Sequence, residues 1–471
     1  MRRLILTIAL LALTGCATLA PERERPAMPV PEAWTTHPGG TQGADVDELG
    51  WRDAFPDPAL QELIATALGQ NRSLRQAVLA MDKARAQFGI ARADRIPNID
   101  ASGANTNTRS PGDLRGGIEG IDRQWNVGLG ISSFELDFFG RIKSLEDSAL
   151  ESYLATEEAR RAAHISLVSQ VARGYLTLAG DREHLALARE TLESRQATLD
   201  LTLAQLAHGM STELARHQAE EVVAVAQAEV ARLTAQVSMD ENALAVLAGA
   251  PVSALNLPAQ AINDVVLNTA VSPGLPSELL TRRPDILEAE HRLWAAGAEI
   301  GAARAAFFPR IGLTTTAGLA SLELTDLFDA TQRVWTFVPS ISLPIFDAGR
   351  NKANLEAAKA EQQIRVAQYE ESIQNAFREV SDALAKNQGY EGQAQAQARR
   401  AASAEQSRLL VDQRFSAGLE SAFAVHDAER TLFTARQNLL DARLARKLAT
   451  VELFTALGGG WQENGLQASA Q

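Results

Sequence analysis

The chain has 471 residues, 46% of them hydrophobic, 22% charged and 5% aromatic, enough apolar material for a real core and too much for wholesale disorder. Its 45 basic and 58 acidic residues leave a net charge of -13, which argues against a phosphate-binding surface and against nucleic acid as a partner. A single cysteine excludes an intramolecular disulfide and a thiolate metal cluster, and beyond the N-terminus no apolar run reaches the ~18 residues of a spanning helix.

Arg2 and Arg3 precede the apolar stretch Leu4 to Thr14, which meets Gly15 and Cys16. A basic start, a short apolar segment and small residues at the cut describe a secretory signal over residues 1–15. Leu13-Thr14-Gly15-Cys16 also resembles a bacterial lipobox, in which the cysteine becomes the lipidated first residue. Cys16 is therefore the expected lipidation site, and membrane lipid the expected partner of this end. Several acyl chains make such attachment lasting, where one alone binds marginally. Ala17, standing where an aspartate would retain a lipoprotein, fits an outer membrane destination. Residues 16–56 carry Pro21, Pro26, Pro29, Pro31, Pro38, Gly39 and Gly40 and read as a lipid-anchored, extended tether.

The rest of the chain is two copies of one unit, residues 57–250 and 276–458, joined by a linker over 251–275 and followed by a tail over 459–471. Gly89, Ala91, Arg92, Ala93, Pro97 and Ile99 recur 212 positions later as Gly301, Ala303, Arg304, Ala305, Pro309 and Ile311. Gly209, Ala215, His217, Glu220 and Gly249 return at an offset of 209 as Gly418, Ala424, His426, Glu429 and Gly458. The drift falls between Ile99 and Gly140, where a loop absorbs it.

Each copy reads helix, two strands, long helix, helix. Gln70 to Ile96 is helical by composition and Pro97 stops it. Strands follow over about 98–107 and 124–138, the second with Trp125, Val127, Leu129 and Ile131 on one face. Its phase slips at Ser132-Ser133 and resumes as Phe134 and Leu136, which predicts a bulge. The counterparts lie over about 310–320 and 333–345, with Trp335, Phe337 and Ile341. No proline interrupts Arg141 to Ala207 or Asn351 to Ala417, so each long helix would reach ~100 Å. Gly209 and Gly418 end them, and helices return over 212–248 and 421–457.

Four strands cannot close a membrane barrel, for which about eight or more are needed. An open sheet of four would leave two edges unpaired. Several chains contributing four strands each remove both difficulties, and alternating strands escape a hydropathy search for spanning helices.

The run Leu280-Thr281-Arg282-Arg283-Pro284-Asp285-Ile286, with Ala289-Glu290, Ile300-Gly301-Ala303-Arg304-Ala305 and Phe308-Pro309, resembles the signature of the TolC-like outer membrane factors. Together with Leu457-Gly458-Gly459-Gly460-Trp461 it is similar to their lipoprotein branch, the NodT-type outer membrane subunits of resistance-nodulation-division efflux pumps. The resemblance implies a mixed α and β homotrimer, a twelve-stranded outer membrane barrel continued by a long α-helical coiled-coil periplasmic tunnel. It implies passive conduction of small molecules from an inner-membrane pump and a periplasmic adaptor to the exterior. Type I protein secretion is the alternative cargo class, and a non-channel lipoprotein scaffold or adhesin the alternative kind of protein.

No catalytic constellation, cofactor motif or metal site stands out. His217 and His426 lack further ligands, and Gly458-Gly459-Gly460 lacks the lysine of a phosphate loop. Arg282 and Arg283 beside Pro284 and Asp285 read as structural, holding a carboxylate or neighbouring carbonyls. The resemblance instead puts weight on two helix hairpins. Gly209, Met210 and Ser211 in the first, and Ala417, Gly418 and Leu419 in the second, are the candidate adaptor contacts. Glu420 stands where relatives carry an acidic constriction residue and is the candidate periplasmic gate. Three such carboxylates about one axis would attract cations; one in the first turn of a helix would merely favour that helix.

Overall fold

The computed structural model describes residues 18–31, 34, 44–45, 49–111, 120–258, 261–268, 271–272, 276–417 and 419–462. Cys16 and Gly418, and with them the lipidation site and one tip position, lie outside the described residues. In chain order the principal elements are α1 (Pro58–Gln70), α2 (Arg72–Ala93), β1 (Asp100–Ser110), β2 (Gly120–Leu136), α3 (Arg141–Ala207) and α4 (Glu213–Ala248). The second copy supplies α5 (Pro284–Ala305), β3 (Arg310–Ser321), β4 (Arg333–Ser342), α6 (Arg350–Ser416) and α7 (Ala422–Ala456). None of the helices among the described residues is long and apolar enough to cross a membrane.

The chain divides into two compact units. The first is built from Ala80–Glu157 and Glu288–Glu370 with the described residues up to Ala27. It holds one antiparallel four-stranded sheet in the order β1-β2-β3-β4, so the two copies meet where β2 pairs with β3. Register puts Val127 opposite Leu319, Leu129 opposite Ala317 and Ala317 opposite Trp335. Residues opposite one another share a face. One face is therefore apolar, and Leu129, Trp335, Phe337 and Ile341 on it are all more than half exposed. The other face is mostly small and polar, with Val334 and Val338 on it. There Gly128 sits opposite Gly318, and a Cβ on Gly318 would stand 2.2 Å from the Val127 carbonyl oxygen. The predicted bulge is present: register shifts between Ile131 and Phe134, and Ser133 takes φ +62°. Among the described residues β1 and β4 pair on one side only.

The stretch read as a tether is held in this unit over its described residues up to Ala27. Arg23 pairs with Glu151 at 2.7 Å, and Arg25 pairs with Glu290; both carboxylates are nearly buried. Arg304 donates to the Leu19 carbonyl at 2.8 Å. Gly301 leaves room for this crossing, since a Cβ there would come within 2.8 Å of the Ala20 nitrogen.

The second unit comprises Glu158–Leu287 and the chain from Glu371 onward with the described residues between Met28 and Leu79. Its core gathers Trp51, Phe55, Leu60, Ile64, Tyr175, Leu176 and Phe454, each buried. The helix expected from Gln70 in fact starts twelve residues earlier at Pro58 and breaks at Asn71. Asp57 caps its start by accepting from the Leu60 amide at 3.0 Å, with proline at the first helical position. Asn71 then caps α2 through the Leu74 amide while its own amide donates to the Leu247 carbonyl, both at 2.9 Å. Gly174, one of only two glycines in α3, lies close against α4: a Cβ there would stand 2.8 Å from Leu244 Cδ2. The linker contributes a parallel two-residue pairing, Ala44–Asp45 with Val271–Ser272.

Candidate functional site: the two helix hairpins

The turns between α3 and α4 and between α6 and α7 have the same construction. After α3 the Gly209 amide donates to Leu206 at 3.0 Å and the Met210 amide to Gln205 at 2.8 Å. With Gly209 at φ +71°, this is a Schellman ending, which glycine adopts without a Cβ penalty. After α6 the Leu419 amide donates to Arg414 at 2.9 Å, the bond equivalent to Met210–Gln205 at an offset of 209. Thr212 caps α4 through the Ala215 amide at 3.2 Å, and Ser421 caps α7 through Ala424 at 3.3 Å, again 209 apart. Two short polar caps and two equivalent helix-ending hydrogen bonds thus give the described parts of the two tips the same construction.

What the tips present is apolar. Met210 and Leu419 are about 70% exposed, and so are Leu214 and Phe423 in the first turns of α4 and α7. Sequence reasoning named the turn residues and missed Leu214 and Phe423. The offset itself was the available signal, since both follow their partners Met210 and Leu419 by four residues. Ser211 and Ala417 complete the described tip positions, Ala417 exposed and Ser211 half-buried.

Glu420 does not sit in the first turn of α7. Ser421 is the cap and Ala422 the first helical residue, so Glu420 precedes both. Its carboxylate pairs with Arg414 Nε in the last turn of α6 at 3.3 Å. The same carboxylate accepts from the Ser421 amide at 3.4 Å. The acidic charge of this tip is therefore held against a guanidinium of its own hairpin.

His217 and His426 face glutamates three residues on, His217 at 3.1 Å from Glu220 and His426 at 3.8 Å from Glu429. No group of three histidine, cysteine, aspartate or glutamate side chains among the described residues is placed to hold a metal ion. Arg283 has the structural role its motif predicted. It forks onto Asp285 at 3.0 and 2.6 Å, reaches Glu379 at 2.8 Å and donates to the Ala456 carbonyl at 2.8 Å.

Comparison with known proteins agrees with this arrangement. The family model described as "Outer membrane efflux protein" matches residues 63–250 and again 275–459, one match per copy. The outer membrane protein OprJ of Pseudomonas aeruginosa is 44% identical over 456 residues, covering 96% of this chain and 95% of that protein. The cation efflux system protein CusC of Escherichia coli K12 is 44% identical over 454 residues, covering 96% and 97%. Among solved structures, the open state of the Neisseria gonorrhoeae MtrE outer membrane channel superposes with a TM-score of 0.88 at 37% identity, over 95% of this chain and 99% of that one.

Proposed function

The chain belongs to the outer membrane efflux protein family, and from that premise we propose that three copies assemble into a passive outer membrane channel of a tripartite efflux pump. The observation that carries this reading is the sheet: four strands, both edges unpaired among the described residues, and one face largely apolar and exposed. Three such sheets joined edge to edge close a twelve-stranded barrel, which removes every open edge and turns the apolar faces to lipid. The strands of 10 to 17 residues meet the roughly 9–11 that a tilted strand needs to cross. The helices α2 to α7 continue the barrel as a coiled-coil tunnel in the periplasm, and a lipid on Cys16 anchors the N-terminal end.

The channel carries small molecules handed on by a resistance-nodulation-division pump through a periplasmic adaptor. The relatives support efflux as the role: OprJ is an outer membrane protein and CusC a component of cation efflux. The adaptor meets the tips at Gly209, Met210, Ser211, Ala417, Gly418 and Leu419, extended by Leu214 and Phe423. Glu420 is the gate residue, and its pairing with Arg414 is one of the contacts that opening breaks. The protein performs no chemistry on its cargo. Single-channel conductance in planar bilayers, with heat-modifiable trimer migration in gels, tests the reading. Discrete conductance steps from a detergent-resistant trimer are expected. A protein that never conducts, even as Glu420→Ala, overturns it.

A further inference from the structure

Between α3, α4 and α7, within the second unit, runs a groove with a cavity volume of about 790 Å³. That volume lies in the range of small-molecule sites, roughly 300–1,000 Å³. Its walls are Val222, Val225 and Ala226 from α4, Phe423 and Phe433 from α7, and Ala188 from α3. The charged side chains at its margin are largely cancelled in place. Glu229 holds Arg232 at 2.8 Å, and Asp427 holds Arg430 at 2.5 Å. Glu221 is exposed, where solvent and salt screen it.

Arg195 is the exception. It projects from α3, is half-buried, and forms no ion pair with a carboxylate of the described residues, Glu429 acting on its charge only from a distance. One terminal nitrogen donates to the Val222 carbonyl at 3.2 Å, but Nε is buried with no hydrogen bond. The guanidinium lies 5.8 Å from the centre of the Phe433 ring. On the same groove, His426 Nδ1 is also buried without a hydrogen bond, Glu429 standing 3.8 Å away. A half-buried cation with an unused donor is costly, and an acceptor of opposite charge relieves both terms at once. Burial pushes the Arg195 guanidinium below its ordinary pKa, and the Glu429 carboxylate offsets only part of that shift.

We propose that this groove binds an organic anion, with a flat apolar body between Phe423 and Phe433 and a carboxylate on the Arg195 guanidinium. The walls are mainly apolar and Arg195 is the lining arginine left without an ion pair among the described residues, which selects against apolar cations of the same shape. The ring of Phe433 supports the guanidinium from one side while the anion takes the other. This site rests on the packing of α3, α4 and α7 and stands whether or not the chain conducts.

The test uses the full-length protein in lipid nanodiscs, titrated calorimetrically with 2-naphthoate against empty nanodiscs as blank. 2-Naphthylmethylammonium, with the same ring and opposite charge, is the control. Saturable binding of naphthoate is expected, at least tenfold tighter than the ammonium. Arg195→Gln should weaken it at least tenfold and Arg195→Lys restore part of the loss. Val225→Trp, which fills the groove and leaves Arg195 in place, should abolish binding with an unchanged melting temperature. Equal binding of the two probes, or no effect of Arg195→Gln in a protein that melts normally, overturns the proposal. Absence of saturable binding also overturns it.

Discussion

The Arg283 guanidinium donates to the main-chain carbonyl of Ala456 across 173 residues of sequence, at 2.8 Å. Ala456 is the last residue of α7, where helix carbonyls have no partner inside the helix. One side chain of the second copy's start therefore closes that copy's end, while Asp285 and Glu379 hold the same guanidinium flat. Replacing it with methionine keeps the volume and leaves a buried carbonyl bare and two carboxylates unpaired. The expected loss is about 2–3 kcal/mol, less than for a fully buried pair because both carboxylates are partly exposed. Thermal unfolding of Arg283→Met should show it as a lower melting temperature. Arg283→Lys should recover little, since an ammonium cannot make the fork and reach the carbonyl together.

Most of the fold could be read in the sequence because its signals are local. The two-residue phase slip at Ser132-Ser133 foretold a bulge since side chains alternate strictly along a strand, and an inserted residue leaves a mark nothing else does. The glycine at 209 foretold a helix end because its backbone needs φ +71°. The misreadings come from long-range partners. Asn71 looked like an ordinary helical residue, but its amide is held by Leu247, 176 residues away, and its carbonyl oxygen caps a new helix. The proline-rich start looked free because composition cannot show that buried Glu151 and Glu290 await Arg23 and Arg25. At the tips, turn chemistry was visible and the exposed apolar flank at Leu214 and Phe423 was not, because exposure is not a property of one residue type.

The joint between the two copies makes a second prediction. Gly318 and Gly128 face each other so closely that a Cβ on Gly318 would stand 2.6 Å from the Gly128 Cα, and main chain cannot yield as a flexible side chain does. Gly318→Val should break the β2–β3 pairing locally. The expected result is loss of the heat-modifiable oligomer from outer membrane fractions, with Ala320→Val on the same strand as a tolerated control. Normal migration of Gly318→Val would show that the sheet adjusts.

Stability should depend on pH through a carboxyl pair between α3 and α4. Burial, then the hydrogen bond that protonated Asp240 donates to Asp181, raises the Asp240 pKa to about 6, against an ordinary value of 3.8; Gln236, donating to Asp240 at 2.9 Å, opposes the shift. A carboxyl whose folded pKa is raised stabilises the fold in full below its unfolded pKa. That contribution fades as pH climbs from about 4 through about 6. Wild type should therefore lose melting temperature between pH 4.5 and pH 7.5 from this pair. Asp240→Asn, which cannot ionise, should melt higher than wild type at pH 7.5 and no higher at pH 4. Parallel melting curves for the two proteins across that range would remove the pair from the account.

The tip pair Arg414–Glu420 gives the most direct reading of gating. The two side chains are 59% and 31% exposed, so the ion pair itself contributes little to folding, about 0–1 kcal/mol. A change at this position should consequently leave the melting temperature almost untouched while changing what passes. Glu420→Gln removes one charge per chain and frees Arg414, which turns the local field from balanced to positive. In planar bilayers under a salt gradient, the reversal potential should move toward weaker cation preference. Arg414→Gln, leaving Glu420 unopposed, should move it the other way. Charge alone would shift selectivity in opposite directions for the two variants, whereas a gate held by the pair would raise open probability in both. Recording both quantities separates the roles, and a pair of variants identical to wild type in each would show that Glu420 lies away from the conducting path.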